Sequence, residues 1–305
     1  MALERKTKIA IVALALVAVL IVAGMAVVLL PTSGKNDSSG KIEVVAAENF
    51  WGSLITQLGG KHVDVLSVVS DPDADPHEYE SNISTAKAVA TADYIIINGA
   101  GYDSWAENLL GSGVKANCTI LNVADLVGKK EGDNPHLWYD PDYVNQVVKQ
   151  MEKDIIAIDP ADTQYYEQQY VNLTVSLLQY QDLCAQIKEN YGGIQIAATE
   201  SIAEYLANAT GLDLISPPAF MEAVAEGNDP PAASIVTFQD QLQSGNVKVL
   251  VFNEQTQSAI TETMKSLATA KNVPIVGITE TMPTNGTFQN WMYSELIALE
   301  GALNA

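Results

Sequence analysis

The order of strand-like and helical segments is the feature that most constrains the fold of this chain. Short apolar runs alternate with segments of helical spacing between residues 42 and 123, and the same alternation returns between residues 194 and 303. Strands that alternate with helices are typical of parallel βαβ units. The sequence therefore predicts an α/β protein with mostly parallel sheets.

A long helical stretch separates the two alternating blocks. Residues 142–158 and 161–191 both have helical spacing, and Asp159-Pro160 forms a break between them. At 1.5 Å per residue the second stretch would extend about 46 Å, which is longer than one small lobe requires. We therefore predict two α/β lobes bridged by one long spine helix. Ligands of such sheets bind at the carboxyl ends of the strands, which places the expected site in the cleft between the lobes.

This pattern divides the chain into five segments. They are a transmembrane anchor or signal segment at residues 1–30, a polar linker at 31–40, an N-terminal lobe at 41–158, the spine helix at 159–191 and a C-terminal lobe at 192–305.

The N-terminal segment contains 22 consecutive residues, 9–30, without a charge or a proline. A helix needs roughly 20 residues to cross a bilayer, whereas the apolar part of a cleaved signal usually has about 7–15. Arg5, Lys6 and Lys8 precede the run, which predicts a cytoplasmic N-terminus and an extracytoplasmic remainder. We interpret the segment as an uncleaved anchor, with a cleaved signal near residues 23–26 as the alternative.

The charge of the chain disfavours a role in nucleic-acid binding. The net charge is −21, and the basic flank of the apolar run contributes +2, so the remainder carries −23. Such a surface repels phosphate and keeps a protein soluble.

An extracytoplasmic surface also fits six Asn-x-Ser/Thr triplets that could carry glycans, at Asn36, Asn82, Asn117, Asn172, Asn208 and Asn285. Cys118 and Cys184 could pair in an oxidising compartment, but their spacing is not that of a metal site.

The three histidines differ in their surroundings. His62 lies in the turn GGKHVDV, where a surface or hydrogen-bonded histidine is expected. His77 lies in DPHEYE and His136 in NPHLWYDP, and in both motifs a proline comes directly before the histidine and aromatic residues follow. Imidazole suits late first-row transition metals, and carboxylates add hard oxygen ligands. His77 and His136 are therefore the metal-ligand candidates.

These motifs give the chain a family resemblance. DPHEYE and NPHLWYDP lie about sixty residues apart with NGAGYDSW between them, and ATESIAEYLANATGLD and VPIVGITE follow later. From about residue 42 to the C-terminus the chain resembles the zinc/manganese-type substrate-binding proteins of ABC importers. The resemblance implies a monomeric extracytoplasmic receptor rather than an enzyme. Such a receptor captures a divalent ion (Mn²⁺, Zn²⁺ or Fe²⁺) and delivers it to an ABC-type metal permease with its ATPase.

The resemblance also implies a set of four ligands, two from each lobe. His77 and His136 would come from the first lobe, and Glu200 would take a position at which relatives have His or Glu. Glu280 would be the fourth ligand, where the family usually has Asp. Glu254, at the end of VLVFNE, is the competing carboxylate, and we interpret it as a residue that forms hydrogen bonds in the hinge or cleft.

Two neutral imidazoles and two carboxylates balance a divalent cation, so a dry cleft could close over it without a buried net charge. This hard donor set, without a His-rich loop before His136, favours manganese slightly over zinc. One rival function is a surface adhesin-like protein that uses the same metal-binding fold. Another is a metal-dependent hydrolase, which would need an open coordination position and a general base. Four protein ligands would close the site and favour capture over catalysis.

Overall fold

A computed structural model describes residues 40–71 and 79–305 of the chain. The predicted anchor at residues 9–30 and the candidate ligand His77 lie outside these ranges. In the part that is described, no helix combines the length and the apolar character needed to cross a membrane.

The first lobe is built on a four-stranded parallel sheet. Its strand order is β2-β1-β3-β4. The strands β2 and β3 therefore lie on opposite sides of β1, and the order in which strands are added to the sheet reverses at this point. The elements are β1 (Ile42–Glu48), α1 (Asn49–Gly59), β2 (Val63–Val69), α2 (Ile83–Thr91), β3 (Tyr94–Ile97), α3 (Ser104–Gly111), β4 (Thr119–Asn122), α4 (Val123–Val127) and α5 (Pro141–Ile158).

The second lobe repeats this topology. Its parallel sheet has the order β6-β5-β7-β8, with the reversal between β5 and β7. The elements are β5 (Gln195–Ala198), α7 (Ala203–Thr210), β6 (Asp213–Leu214), α8 (Pro218–Ala225), α9 (Ala232–Gln243), β7 (Val249–Asn253), α10 (Ala259–Ala270), β8 (Ile275–Ile278) and α11 (Phe288–Asn304).

The predicted spine helix is present as α6 (Thr163–Tyr191), 29 residues long. It begins two residues later than the sequence indicates, because Pro160–Asp162 forms a turn of 3-10 helix. The helix α5 before it starts at an Asp140 N-cap, whose carboxylate accepts hydrogen bonds from the amides of Asp142 and Tyr143. The prediction of two α/β lobes joined by a long helix is confirmed.

The two lobes share one continuous hydrophobic core. It runs from the inner face of the first sheet through α1, α5 and α6 to the inner face of the second sheet and α11. Phe50 and Trp138 lie in its centre, with ring centroids 4.2 Å apart. A smaller cluster packs on the outer face of each sheet. Because helices cover both faces, the central strand β3 (Tyr94–Ile97) is apolar and buried along its whole length, as is usual in parallel sheets.

The fold also contains two short helices, α4 and α8, which the alternation of strands and helices does not predict. In α4 the Asn122 side chain accepts a hydrogen bond from the amide of Asp125, and Gly128 ends the helix in the left-handed region at φ 75°. The strand β6 has only two residues, Asp213 and Leu214. Cys118 and Cys184 do not form a disulfide.

Candidate metal centre

Three of the four predicted ligands lie together where the two sheets face each other. His136 precedes a turn of 3-10 helix, Leu137–Tyr139, in the first lobe, whereas Glu200 and Glu280 each follow a strand of the second lobe, β5 and β8. All three side chains are completely buried or nearly so. His136 Nε2 is 4.0 Å from Glu280 Oε2. Two donors bound to one tetrahedral Zn²⁺ are about 3.4 Å apart, so this separation is close to that of two ligands of one ion.

Asn253, the last residue of β7, lies between the two carboxylates. Its Nδ2 group is 2.6 Å from Glu200 Oε2 and 2.6 Å from Glu280 Oε1, and both contacts are hydrogen bonds that the amide donates. The amide therefore holds two buried carboxylates side by side and offsets part of their mutual repulsion. Asn253 was not among the site residues predicted from the sequence, although the end of a parallel strand is a usual position for a site residue.

The His136 imidazole is oriented by Asn134. Asn134 Oδ1 accepts a hydrogen bond from the backbone N–H of His136 at 3.0 Å and lies 2.7 Å from its Nδ1. With Nδ1 carrying the hydrogen of the neutral ring, Nε2 has the lone pair, and Nε2 is the atom that faces Glu280. The ring packs edge-on against Trp138, with centroids 5.3 Å apart. These contacts fix the orientation of the ring, with Nε2 directed toward Glu280.

Glu280 is held in place by groups from both lobes. The Tyr102 hydroxyl of the first lobe donates a hydrogen bond of 2.7 Å to Glu280 Oε2. Gln255 Oε1 accepts hydrogen bonds from the backbone amides of Glu280 and Thr281, at 2.6 and 2.9 Å. The loop that carries Glu280 is therefore fixed through its backbone as well as through its carboxylate.

The competing carboxylate, Glu254, is exposed on the surface. Its side chain lies over Gly277, where an ideal Cβ would come 2.2 Å from Glu254 Oε1. Of the two carboxylates left open by the sequence, Glu280 is the one that lies beside His136 and Asn253.

Glu295, a buried residue of α11, contacts the loop that carries Glu280. Its Oε1 accepts hydrogen bonds from the Thr279 amide at 3.0 Å and from Trp291 Nε1 at 2.7 Å. The Tyr139 hydroxyl is 2.7 Å from Glu295 Oε2 and 2.7 Å from the Thr279 carbonyl oxygen. Burial raises the pKa of Glu295 from 4.5 to about 8, in spite of the hydrogen bonds it accepts. At neutral pH this carboxyl group is therefore mostly protonated.

Two further buried carboxyl groups lie at the carboxyl edge of the first sheet. Burial raises the pKa of Glu48, the last residue of β1, well above 4.5, and the neighbouring Asp103 raises it further. Burial also raises the pKa of Asp103 to about 6, although its carboxylate accepts hydrogen bonds from the amides of Asn98 and Gly99. Burial thus favours the neutral form of Glu48, which lowers the cost of placing two carboxyl groups at this edge of the sheet.

The fourth predicted ligand, His77, belongs to residues 72–78, which lie outside the described ranges. Asp71, the last described residue before this segment, lies beside the loop that carries Glu280. Its carbonyl oxygen accepts a hydrogen bond from Thr281 Oγ1 at 3.3 Å. On the C-terminal side, Tyr79 packs edge-on against Trp105 and its hydroxyl is 2.9 Å from Thr85 Oγ1.

A cavity of about 580 Å³ opens next to His136, with walls from both lobes. Its lining contains five carboxylate side chains, those of Glu131, Asp133, Glu204, Glu222 and Glu226. A negatively charged opening raises the local concentration of cations.

The sequence indicates only a surface or hydrogen-bonded role for His62. It lies in a second group of side chains of the types that can bind metals. His62, Asp159 and Asp162 offer ligand atoms that are all within 4.8 Å of one another. His62 Nδ1 lies 3.3 Å from Asp162 Oδ2, and Tyr166 donates a hydrogen bond to Asp159 at 3.0 Å. These contacts attach the start of α6 to the end of α1, which is a structural role.

The topology and the site together define a class of protein. Two α/β lobes of the same strand order face each other across a buried imidazole and two carboxylates. The matching family model is that of ZnuA, described as zinc-uptake complex component A, periplasmic, and the match spans residues 44–302. The chain belongs to this family, whose members are solute-binding receptors and not enzymes.

The similar proteins include receptors named for manganese and for zinc. The chain is 26% identical over 263 residues to the manganese ABC transporter substrate-binding lipoprotein PsaA of Streptococcus anginosus, which covers 80% of this chain and 82% of the relative. It is 24% identical over 263 residues to the high-affinity zinc uptake system protein ZnuA of Bacillus subtilis (strain 168), which covers 79% and 80%.

Among solved structures, the periplasmic zinc-binding protein TroA from Treponema pallidum superimposes with a TM-score of 0.74. The match covers 87% of this chain and 99% of the other at 14% identity. A Mn-bound periplasmic metal-binding protein from Candidatus Liberibacter asiaticus gives a TM-score of 0.71, covering 85% and 98% at 18% identity. These similarities confirm the fold.

Proposed function

We propose that this receptor binds one divalent transition-metal ion with His77, His136, Glu200 and Glu280. The observation that carries the proposal is the convergence of His136, Glu200 and Glu280 from loops of two lobes into one buried position. Each of these groups is costly to bury alone, and a divalent cation would compensate the two carboxylates. The ion is the cargo of the protein, which holds it for transfer rather than for catalysis.

Manganese is the proposed physiological ion. Two carboxylates with two imidazoles form a harder donor set than three imidazoles, and Mn²⁺ accepts additional oxygen ligands. The relatives named for manganese and for zinc belong to the same family, so family membership does not choose between the two ions. Glu280 can bind through one oxygen or two, which suits the larger coordination number of Mn²⁺.

The receptor works outside the cytoplasm and delivers its ion to an ABC-type permease with its ATPase. We propose that residues 9–30 anchor it to the membrane and that it acts as a monomer. Several relatives are named lipoproteins, whereas the first cysteine of this sequence is Cys118, far beyond the apolar run. A hydrophobic helix would replace the lipid as the tether.

Competition titration of the full chain with Mn²⁺ and Zn²⁺ tests the ligand set. H77A, H136A, E200A and E280A should each lower the affinity by one or more orders of magnitude, because each removes a proposed ligand. H62A and E254Q are the matched controls, since His62 belongs to the cluster at the start of α6 and Glu254 is exposed. Loss of binding in H62A with full binding in H136A would refute the proposed site.

A further inference from the structure

Asn134 is the residue through which His136 contacts the second lobe. Asn134 Oδ1 faces the backbone N–H and Nδ1 of His136, and Asn134 Nδ2 donates to the Ser201 carbonyl oxygen at 2.7 Å and to Glu204 Oε2 at 2.8 Å. The Tyr205 hydroxyl donates to the Asn134 carbonyl oxygen at 2.9 Å. One short side chain therefore connects a proposed ligand of the first lobe with the start of α7 in the second.

The hydrogen-bond partners fix which way the amide of Asn134 points. A carbonyl oxygen and a carboxylate oxygen are acceptors, so the atom that faces Ser201 and Glu204 must be the NH₂ group. The opposite atom is then the amide oxygen, which needs a hydrogen on His136 Nδ1. The same amide thus selects the tautomer of His136 and contacts the second lobe.

We propose that Asn134 is a positioning residue that couples binding of the ion at His136 to the contact between the lobes. The proposal rests on the proposed function, in which His136 binds the ion through Nε2. An ion at Nε2 withdraws electron density from the ring and makes Nδ1–H a stronger donor to Asn134 Oδ1. Polarisation of the amide then strengthens its N–H bonds to Ser201 and Glu204.

The position of Ser201 makes this coupling specific for the site. Ser201 directly follows Glu200, a proposed ligand of the second lobe, so Asn134 joins the two ligand loops at their base. An ion that strengthens this contact has a higher affinity for the closed arrangement than for an open one, which is the requirement for ligand-driven closure. Asn134 should therefore act mainly on the rate at which the ion leaves.

Three substitutions separate the two tasks of Asn134. N134A removes both the acceptor for His136 and the donor to the second lobe. N134D keeps the acceptor, but it places a second carboxylate against Glu204 and the Ser201 carbonyl oxygen. In the double variant N134D/E204Q the introduced glutamine can donate a hydrogen bond to the introduced aspartate. This restores the contact between the two positions with donor and acceptor exchanged. N108D, at an exposed position of α3, adds the same charge away from the contact between the lobes and is the control.

The first measurement is the release of Mn²⁺, and separately of Zn²⁺, from the full chain into excess chelator. We expect release to be faster by about 10- to 100-fold in N134A, the range typical for groups that orient metal ligands. N134D should also release the ion faster, and N134D/E204Q should recover at least part of the slow release. N134A or N134D releasing the ion at the parental rate would overturn the proposal, and so would a double variant no slower than N134D.

The second measurement uses no metal, so its outcome does not depend on the proposed function. Imidazole ¹⁵N shifts of the metal-free protein should show His136 as the Nδ1–H tautomer in the parent, N108D and N134D. In N134A the ring should lose this preference. An unchanged tautomer in N134A would refute the orienting role. Parental affinity in H136A would instead refute the proposed function, and the tautomer result would still stand for the metal-free chain.

Discussion

The substitution E295Q should stabilise the protein at alkaline pH. The Tyr139 hydroxyl has one hydrogen but lies 2.7 Å from two acceptors, the Thr279 carbonyl oxygen and Glu295 Oε2. A protonated Glu295 can donate the second hydrogen to Tyr139 while its Oε1 still accepts from Thr279 and Trp291. A glutamine has the shape and the donors of this protonated form, so E295Q should keep the network.

The magnitude follows from the pKa of Glu295, which burial raises from 4.5 to about 8. Below pH 4.5 the carboxyl group is protonated in both the folded and the unfolded chain, and its contribution to stability is complete. Between pH 4.5 and 8 only the unfolded chain releases the proton, so the free energy of unfolding falls by about 1.4 kcal/mol per pH unit. The total loss by pH 9 is at most about 5 kcal/mol, and E295Q, which cannot titrate, should not show it.

Urea denaturation between pH 5 and 9, followed by tryptophan fluorescence in the presence of a chelator, measures this difference. Glu48 and Asp103 titrate in both proteins, so their contributions cancel in the comparison. E300Q, at a partly exposed position of the same helix, is the control and should follow the parent. Parallel pH curves for the parent and E295Q would show that Glu295 has an ordinary pKa and would refute the reasoning.

Three further outcomes are expected. N253D replaces the amide between Glu200 and Glu280 by a third carboxylate, so it should lower the melting temperature of the metal-free protein and increase the rise that metal causes, as scanning calorimetry would detect. N49A removes hydrogen bonds of 2.7 and 3.0 Å to the buried backbone of Met282 and should lower the free energy of unfolding by about 2–3 kcal/mol in denaturant titration. E200H should raise the ratio of Zn²⁺ to Mn²⁺ affinity in competition binding, and an unchanged ratio would mean that ligand type does not set selectivity.

Much of the fold could be read from the sequence because local patterns specify it. Residue spacing predicts the alternation of strands and helices and the long helix α6. The short motif NPHLWYDP singles out His136 as a candidate site residue. Short elements were harder to predict. The five residues of α4 depend on an Asn122 cap and a left-handed Gly128, which local apolar periodicity does not reveal.

The sequence by itself determined the class of the fold and the residue types at the carboxyl ends of the strands. It could not choose between Glu254 and Glu280, because both follow strands of one sheet and only the backbone beyond each strand decides which carboxylate is buried. It also gave no sign of Asn253, which bonds to a carboxylate 53 residues away, or of Asn134, whose partners lie 67 and 70 residues away. Contacts between such distant segments exist only once the two lobes have packed on a common core, and tertiary structure alone therefore decided how the site is held.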